Sequence, residues 1–196
     1  MNPVVIGISG YANAGKDTLA DLLVEHFRFS KLAFADPMRE MAMAIDPVVG
    51  YAAGEDGEDV VIRYSDAVAQ VGYQEAKSLY PEIRRFLQRL GTDAGRKILG
   101  EDVWVDSGIK RAEQHPRAVF ADLRFTNEAQ AIRRREGLVF RVNRPGFGPA
   151  NDHESEVGLD GWRFDASFNN NDTIESLLPR LEQVFSRMRP EILRTT

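Results

Sequence analysis

The sequence predicts an α/β fold in which a five-stranded parallel sheet lies between layers of helices. Short apolar runs alternate with segments whose apolar residues recur at helical spacing, and strands that alternate with helices form parallel sheets. The first apolar run also opens through a glycine-bounded turn directly into a helical pattern. At this length the chain is expected to form a single domain, residues 1–196.

The composition is that of an ordinary globular protein, with 43% hydrophobic and 28% charged residues. The formal charge of −5 predicts no general attraction to nucleic acid or to an anionic membrane. The chain has no cysteine, which excludes disulfides and thiolate metal sites. Neither a leader pattern nor a long apolar run is present, so we expect a cytoplasmic protein.

The predicted strands are short apolar runs. The first of them has the uninterrupted apolar character of a buried strand. The third ends on a carboxylate, Asp122. In chain order, the five predicted strands are residues 3–8, 31–35, 118–122, 138–142 and 165–168.

The predicted helices have apolar residues at helical spacing, and several have recognisable ends. Pro37 and Pro81 suit the first turn of a helix. Ser65 is expected to cap the helix that follows it, and Gly137 to close another as a left-handed cap. The predicted helices are residues 16–27, 37–46, 65–71, 81–90, 103–114, 126–135 and 173–188. The second has four apolar residues on one face, namely Met38, Met41, Ala42 and Ile45.

Three segments show neither the apolar pattern of a strand nor that of a helix. Residues 48–63 are rich in Gly, Asp and Glu and are expected to form a solvated loop, and residues 90–93 a turn. Residues 144–163 are long for a connector in a compact domain, and such connectors are often lids. Within them, His153 has no Cys and no second His nearby, so residues 153–156 are interpreted as lid structure and not as a metal site.

The glycine-rich loop after the first strand carries the strongest functional motif. Gly10, Gly15 and Lys16 have the spacing G-x-x-x-x-G-K, in which backbone N–H groups converge on an anion and the lysine reaches the β- and γ-phosphates of a nucleotide. The helix that follows directs its positive end at the same place. The next residue is usually Ser or Thr, but here it is Asp17, followed by Thr18. Two assignments remain open: Asp17 contacts a metal ion directly or through water, and Thr18 contacts the α-phosphate.

Charged residues after the other strands are expected at the same edge of the sheet, because the carboxyl ends of parallel strands meet there. Asp122 follows its strand as a magnesium-organising carboxylate does in P-loop enzymes, with a turn or capping role as the structural alternative. Arg124 could hold an acceptor phosphate bidentately, or be a plain surface arginine. Asp36 follows the second strand.

Further arginines suit phosphoryl transfer, which needs positive charge near the equatorial phosphate oxygens. Arg144 on the predicted lid is expected to reach the transferred phosphate, while Arg141 and Arg163 are weaker candidates because either could be solvated. Arg84 and Gln88 are four residues apart and share a helix face that could meet a phosphate and a base.

Eight motifs along nearly the whole chain resemble the phage-type deoxynucleoside monophosphate kinases of the P-loop nucleotide kinase superfamily. The motif in the glycine-rich loop is shared with other small-molecule kinases, whereas the helix containing Arg84, Gln88 and Thr92 and the later Arg144-Pro145-Gly146 are more specific. The motifs are residues 10–18, 34–40, 83–93, 104–105, 122–128, 144–146, 152–156 and 169–170.

The resemblance implies a P-loop kinase with α/β/α layers, an acceptor-binding helical region over about residues 37–115 and a lid over about residues 144–163. It implies ATP- and Mg²⁺-dependent phosphorylation of deoxynucleoside 5′-monophosphates to diphosphates. The partners would be small molecules, not nucleic acid or membrane, a homodimer is allowed, and a phage-encoded enzyme would act in the host cytoplasm.

The resemblance also implies roles for individual residues. Lys16, Arg124 and Arg144 are the expected catalytic residues, and Asp17 and Asp122 the expected metal ligands. The expected nucleotide-binding residues are Gly10, Asn13, Ala14, Gly15, Lys16, Asp17, Thr18 and Asn170. The expected acceptor-binding residues are Phe34, Asp36, Arg39, Arg84, Gln88, Thr92, Arg96, Trp104, Arg124 and Glu128.

Two other functions remain open from the sequence. A relative of dephospho-coenzyme A kinase or phosphomevalonate kinase would keep the fold and change the acceptor, and a hydroxyl acceptor would make Asp36 a general base. A nucleotide-binding switch is the second alternative, although the chain has no Asn-Lys-x-Asp element for reading guanine.

Overall fold

A computed structural model describes residues 3–54, 57–149, 157–170 and 174–195. The chain forms two compact units, one from the residues up to Phe34 and from Val105 onward, the other from Ala35–Trp104. The strands are β1 (Val4–Ser9), β2 (Ser30–Leu32), β3 (Val48–Ala53), β4 (Asp59–Arg63), β5 (Arg117–Phe120), β6 (Leu138–Asn143) and β7 (Ala166–Asn169). The helices are α1 (Lys16–Phe27), α2 (Asp36–Ile45), α3 (Tyr64–Val71), α4 (Tyr73–Leu79), α5 (Pro81–Gln88), α6 (Val103–Ala112), α7 (Thr126–Arg133) and α8 (Ile174–Met188). Arg89–Leu99 is π-helical, and Pro190–Thr195 forms a 3₁₀ helix.

The first unit is built on a five-stranded sheet in the order β2-β5-β1-β6-β7. Each neighbouring pair is parallel, with Ile6 opposite Val119 on one side of β1 and opposite Leu138 on the other. The predicted α/β fold with a five-stranded parallel sheet is confirmed.

Helices cover both faces of this sheet because successive strand residues point to opposite faces. Val5 and Val139 pack in one apolar cluster with residues of α6 and α7. Ile6 and Phe140 pack in another with residues of α1 and α8. The strand residues are almost fully buried, as expected for a parallel sheet covered on both sides. The three predicted layers are therefore present.

The second unit, Ala35–Trp104, has its own core under a small β-hairpin. Strands β3 and β4 pair antiparallel, with Tyr51 opposite Val61. Ala42, Tyr64, Ile83 and other buried side chains form the core of this unit. No helix among the described residues combines the length and apolar character needed to cross a bilayer.

The prediction of a solvated loop over residues 48–63 is wrong, because this segment forms the β3–β4 hairpin. Val48, Val49 and Tyr51 lie on one side of the acidic, glycine-containing run, and Val60 to Ile62 on the other. β-Branched and aromatic residues favour strands. The acidic run lies between the two strands, and its residues 55 and 56 are outside the described residues.

The predicted turn at residues 90–93 is also wrong, since the chain continues from α5 into the π-helical segment. The indole Nε1 of Trp104 donates to the carbonyl oxygen of Gly91 at 2.8 Å. A Cβ on Gly95 would lie 2.5 Å from the same ring, so only glycine allows this approach. These tertiary contacts stabilise a helical segment that its two glycines disfavour.

Three smaller predictions are corrected. Helix α3 begins at Tyr64 without a side-chain cap, and the carboxylate of Asp46 accepts the Ser65 N–H at 2.8 Å, so Ser65 is not the cap. The left-handed residue after α7 is Glu136, with φ 57°, while Gly137 is required because a Cβ there would lie 2.6 Å from the Val5 carbonyl oxygen. The prediction of an apolar face on α2 is partly wrong. Only Ala42 is buried in that helix, whereas two of the predicted face residues are exposed, Met41 and Ile45.

Candidate active site

The glycine-rich loop connects β1 to α1 and holds the side chain of Lys16. The Lys16 ammonium donates to the carbonyl oxygens of Gly10 at 2.7 Å and Tyr11 at 2.9 Å. Asn13 and Gly15 adopt left-handed conformations, with φ 60° and 101°. Successive residues of alternating hand turn their N–H groups into a concave anion-binding surface. The loop therefore combines two left-handed residues with a cation at the start of a 12-residue helix, whose N-terminal N–H groups favour an anion.

Two neighbours fix the loop against the carboxyl edge of the sheet. A Cβ on Gly10 would lie 2.5 Å from the Val142 carbonyl oxygen, so the loop rests directly on β6. The Asn170 amide follows β7 and donates to the Ala14 carbonyl oxygen at 2.9 Å. Its amide nitrogen would clash with a Cβ on Gly15. Asn170, predicted to bind nucleotide, is thus brought to the phosphate loop.

Asp17 is directed into an ion pair at the surface. Its Oδ1 lies 2.8 Å from Lys31 Nζ, and its side chain is 80% exposed. Burial lowers the pKa of Lys31, but the hydrogen bonds and charges of Asp17 and Asp21 outweigh it, so the pKa lies above its ordinary value. Thr18 is half-buried on the next position of α1. The metal contact of Asp17 and the α-phosphate contact of Thr18 both stay predictions.

Asp122 and Glu128 organise the segment between β5 and α7. Asp122 Oδ1 accepts the backbone N–H of Phe34, which follows β2, at 3.0 Å. Glu128 is buried and its Oε2 accepts the N–H groups of Arg124 at 2.8 Å and Phe125 at 3.0 Å. These bonds satisfy donors at the start of α7. Arg124 is left with an exposed side chain.

Arg144 lies close to the phosphate loop, as predicted. Its Nη1 donates to the Asn13 carbonyl oxygen at 3.2 Å, and its Cζ lies 4.5 Å from the Phe147 ring centroid. Part of the predicted lid, residues 150–156 with His153, lies outside the described residues. Asp152 and the cluster at residues 153–156 therefore have no structural outcome.

An aromatic and charged cluster beside the loop was missed by the sequence analysis. The Tyr11 hydroxyl lies 2.9 Å from both carboxylate oxygens of Asp160. The Arg141 guanidinium lies 4.4 Å from the Tyr11 ring centroid, and its Nη2 donates to Asp160 at 3.1 Å. Arg141 is buried, which corrects the expectation that it could be solvated. Its place inside the apolar run of residues 138–142, a predicted buried strand, was the available sequence signal.

The second unit carries most of the predicted acceptor-binding residues. Arg39 Nη1 pairs with Asp36 at 3.0 Å, and its Cζ lies 4.9 Å from the Tyr73 ring centroid. Arg84 Nε donates to the Lys77 carbonyl oxygen at 2.9 Å. Two further members of the set have exposed side chains and a third is half-buried, namely Gln88, Thr92 and Arg96.

Two predicted acceptor-binding rings have packing roles. Phe34 is 2% exposed and stacks on Phe120 with 4.0 Å between ring centroids. Trp104 is buried against the π-helical segment, as described above. A contact of either ring with an acceptor stays a prediction.

No group of three His, Cys, Asp or Glu residues that could hold a metal ion occurs within the described ranges. The carboxylates expected to contact the ion are those of Asp17 and Asp122. Mg²⁺ is commonly held by one or two carboxylates together with substrate phosphates and water, so the donor set fits such an ion.

Comparison with known proteins identifies the family. A family model described as deoxynucleotide monophosphate kinase matches residues 47–181, more than half of the chain. The match begins after Lys16, so the phosphate loop is a separate indication. A protein of Acanthamoeba polyphaga mimivirus, whose name assigns it to the deoxynucleotide monophosphate kinases, is 27% identical over 91% of this chain and 94% of its own length.

Two further proteins are more distant from this chain than the mimivirus protein is. The deoxynucleoside-5′-monophosphate kinase of Escherichia phage T5 is 25% identical over 80% of this chain and 85% of its own length. Among solved structures, the APS kinase of Mycobacterium tuberculosis has a TM-score of 0.43 and 12% identity, covering 94% of this chain and 98% of its own. From the extent of the family match, the chain belongs to the deoxynucleotide monophosphate kinase family.

Proposed function

We propose that this kinase transfers the γ-phosphate of ATP, with Mg²⁺, to a deoxynucleoside 5′-monophosphate and releases ADP and the diphosphate. The observation that carries the proposal is the position of Lys16. Its ammonium lies on the Gly10 and Tyr11 carbonyl oxygens, within a loop whose conformation suits an anion and at the positive end of α1. Family membership supplies the acceptor class.

In the proposed reaction, an anionic oxygen of the acceptor phosphate attacks the γ-phosphorus in line, and the bond to the β-phosphate oxygen breaks. Catalysis then depends on positioning and on positive charge near the transferred group. Lys16 would hold the β- and γ-phosphate oxygens. Arg144, already at the Asn13 carbonyl oxygen, would supply charge to the transferred group when the segment 144–163 closes.

For the metal ion, we propose Asp122 as the main protein ligand. It follows β5, and one of its oxygens is held by the Phe34 N–H, which fixes the carboxylate. Asp17 is the second candidate, but a metal ion at this carboxylate would compete with Lys31. Thr18, which is half-buried, would then contact the α-phosphate. The ion, when bound, would neutralise developing charge on the phosphates.

For the acceptor, we propose that Arg124 binds its phosphate and that a set of polar residues on α5 and the π-helical segment supplies contacts to the base and sugar. The exposed Arg124 guanidinium can form two parallel hydrogen bonds to a phosphate. Arg84, Gln88, Thr92 and Arg96 supply cations and hydrogen-bonding groups along one helical stretch. An anionic acceptor oxygen needs no general base, so Asp36 is assigned to holding Arg39.

Acceptor profiling tests the proposal. The chain is incubated with MgATP and, separately, with each deoxynucleoside monophosphate, the ribonucleotides, dephospho-coenzyme A and phosphomevalonate, and ADP release is measured. We expect turnover with deoxynucleoside monophosphates, and none for Lys16→Ala. Turnover only with one of the last two acceptors would favour the related small-molecule kinases. Slow ADP release that no acceptor increases would favour a nucleotide switch.

We also propose the finer features of the enzyme's organisation. The chain would act as one kinase domain, and binding of nucleic acid is not expected at a formal charge of −5. A cytoplasmic location and a homodimer remain proposals. Sedimentation of the purified chain at several concentrations would test the dimer.

A further inference from the structure

Arg141 is a buried cation beside the phosphate loop, and none of the roles above uses it. It lies on β6 opposite Ser9, and its side chain is only 9% exposed. Nη1 donates to Ser9 Oγ at 3.3 Å, Nη2 to Asp160 Oδ1 at 3.1 Å and Nε to Asn143 Oδ1 at 3.4 Å. Because a buried charge is unfavourable unless polar groups surround it, these partners hold the guanidinium in one orientation.

The Tyr11 side chain connects this cluster to the phosphate loop. The Arg141 Cζ lies 4.4 Å from the Tyr11 ring centroid, within the range of a cation–π contact. The Tyr11 hydroxyl lies 2.9 Å from each oxygen of Asp160. The Tyr11 carbonyl oxygen accepts the Lys16 ammonium at 2.9 Å and the Ala14 N–H at 3.2 Å. One loop residue is therefore fixed by its side chain and holds Lys16 by its backbone.

We propose that Arg141 is a positioning residue of the phosphate loop. Through Tyr11 it fixes the carbonyl group that holds Lys16, and through Asp160 it ties the turn at residues 157–160 to the same loop. This turn lies within the predicted lid, residues 144–163. The inference rests on the proposed function in taking the loop as the ATP site.

A lysine at this position could not replace the arginine. An ammonium keeps the charge, but it is a compact group without the planar fork that spans several acceptors and stacks on a ring. Arg141→Lys should therefore free the Tyr11 ring while leaving the net charge of the site unchanged. The matched control is Arg134→Lys, an exposed arginine that follows α7.

The test measures the affinity of the loop for MgATP directly. The dissociation constant of a fluorescent ATP analogue and the KM for ATP are determined for the parent, Arg141→Lys, Asp160→Asn, Tyr11→Phe, Tyr11→Ala and the control. We expect Arg141→Lys to weaken binding about tenfold, within the range of coupled contacts. In the Tyr11→Ala background the same change should weaken binding by less than about twofold, because its effect passes through Tyr11.

A spectroscopic readout of Tyr11 distinguishes positioning from a general structural role. Burial raises the pKa of Tyr11, the hydrogen bond and charge of Asp160 raise it further, and Arg141 opposes them. In an ultraviolet titration, with Tyr11→Phe used to assign the signal, Asp160→Asn should shift the Tyr11 ionisation to lower pH. A variant that only loosened the fold would change the melting temperature without this selective shift.

Several results would overturn the inference. The inference fails if Arg141→Lys binds the ATP analogue as tightly as the parent. It also fails if the double variant Arg141→Lys/Tyr11→Ala loses affinity by the product of the two single effects, because the two residues would then act independently. If Arg141→Lys does not fold, the affinities of Tyr11→Phe, Asp160→Asn and the variant carrying both changes test the network instead. Asp160 is 40% exposed, so its variant should fold, and independent effects of this pair would count against the network. Analogue binding and titration require no acceptor. A parent that binds the analogue but phosphorylates nothing would contradict the proposed function and still leave this inference testable.

Discussion

Arg144 should contribute to catalysis and little to ATP binding, and the structure provides the numbers. Its hydrogen bond to the Asn13 carbonyl oxygen is 3.2 Å long and exposed. A bond of this kind contributes about 1 kcal/mol or less, which is roughly a fivefold change in affinity. Charge stabilisation of a transferring phosphate is larger, about 1.4 to 4 kcal/mol. Arg144→Ala should therefore lower kcat by roughly ten- to a thousandfold and raise the KM for ATP by about fivefold at most.

The assay is ADP release followed through coupling enzymes, at saturating MgATP and acceptor. Arg144→Lys should regain part of the loss, because an ammonium cannot span two phosphoryl oxygens. Arg134→Ala, an exposed arginine outside the proposed site, is the control and should match the parent. A parent-like kcat for Arg144→Ala would refute the reasoning. The charge on the transferred phosphate would then be stabilised by another cation, and Arg163 is the remaining candidate.

Four other variants test the site and the fold. Lys16→Ala should abolish transfer with unchanged circular dichroism, and retained turnover would contradict its assignment. Asp122→Asn should raise the Mg²⁺ concentration for half-maximal rate, whereas an unchanged dependence would make the carboxylate purely structural. Arg124→Ala should raise mainly the acceptor KM, and an effect confined to kcat would argue against ground-state binding. Asp165 is 8% exposed and accepts Arg133 Nη1 and the Val139 N–H, both at 2.7 Å. Asp165→Ala should destabilise by about 3 kcal/mol, a fall in Tm of about 6–12 °C, and a fall of under about 2 °C would show the ion pair to be unimportant.

The sheet and the loop were predictable because their signals are local. Apolar runs such as residues 138–142 identify buried strands, and Gly10, Gly15 and Lys16 lie within seven residues of one another. The order of the strands does not follow from these local signals, since β2 pairs with β5 and not with β1. Arg144 and Asn170 reach the loop because both follow neighbouring strands, β6 and β7, at the same edge.

The features of the fold and the site that were not predicted depend mostly on contacts between residues distant in sequence. The π-helical segment requires the indole of Trp104 against Gly95, which propensity cannot indicate. The burial of Arg141 depends on Asp160, which lies within a segment without periodicity, residues 144–163. The β3–β4 hairpin was missed because composition averaged over residues 48–63 hid two short strands around an acidic run.

The change from α- to π-helical geometry at Arg89 affects how four polar side chains align. Arg84, Gln88, Thr92 and Arg96 follow one another at intervals of four residues. An α-helix completes a turn in about 3.6 residues, so a step of four residues rotates the side chain past one full turn. A π-helix, with bonds between residues five apart, takes more residues per turn, so the same step falls short. The angular deviations of the two helix types have opposite signs and partly cancel. The four side chains therefore form a straighter row than they would on a continuous α-helix. Deleting one residue between Gln88 and Thr92 would shorten that step to three residues and rotate Thr92 and Arg96 away from Arg84 and Gln88.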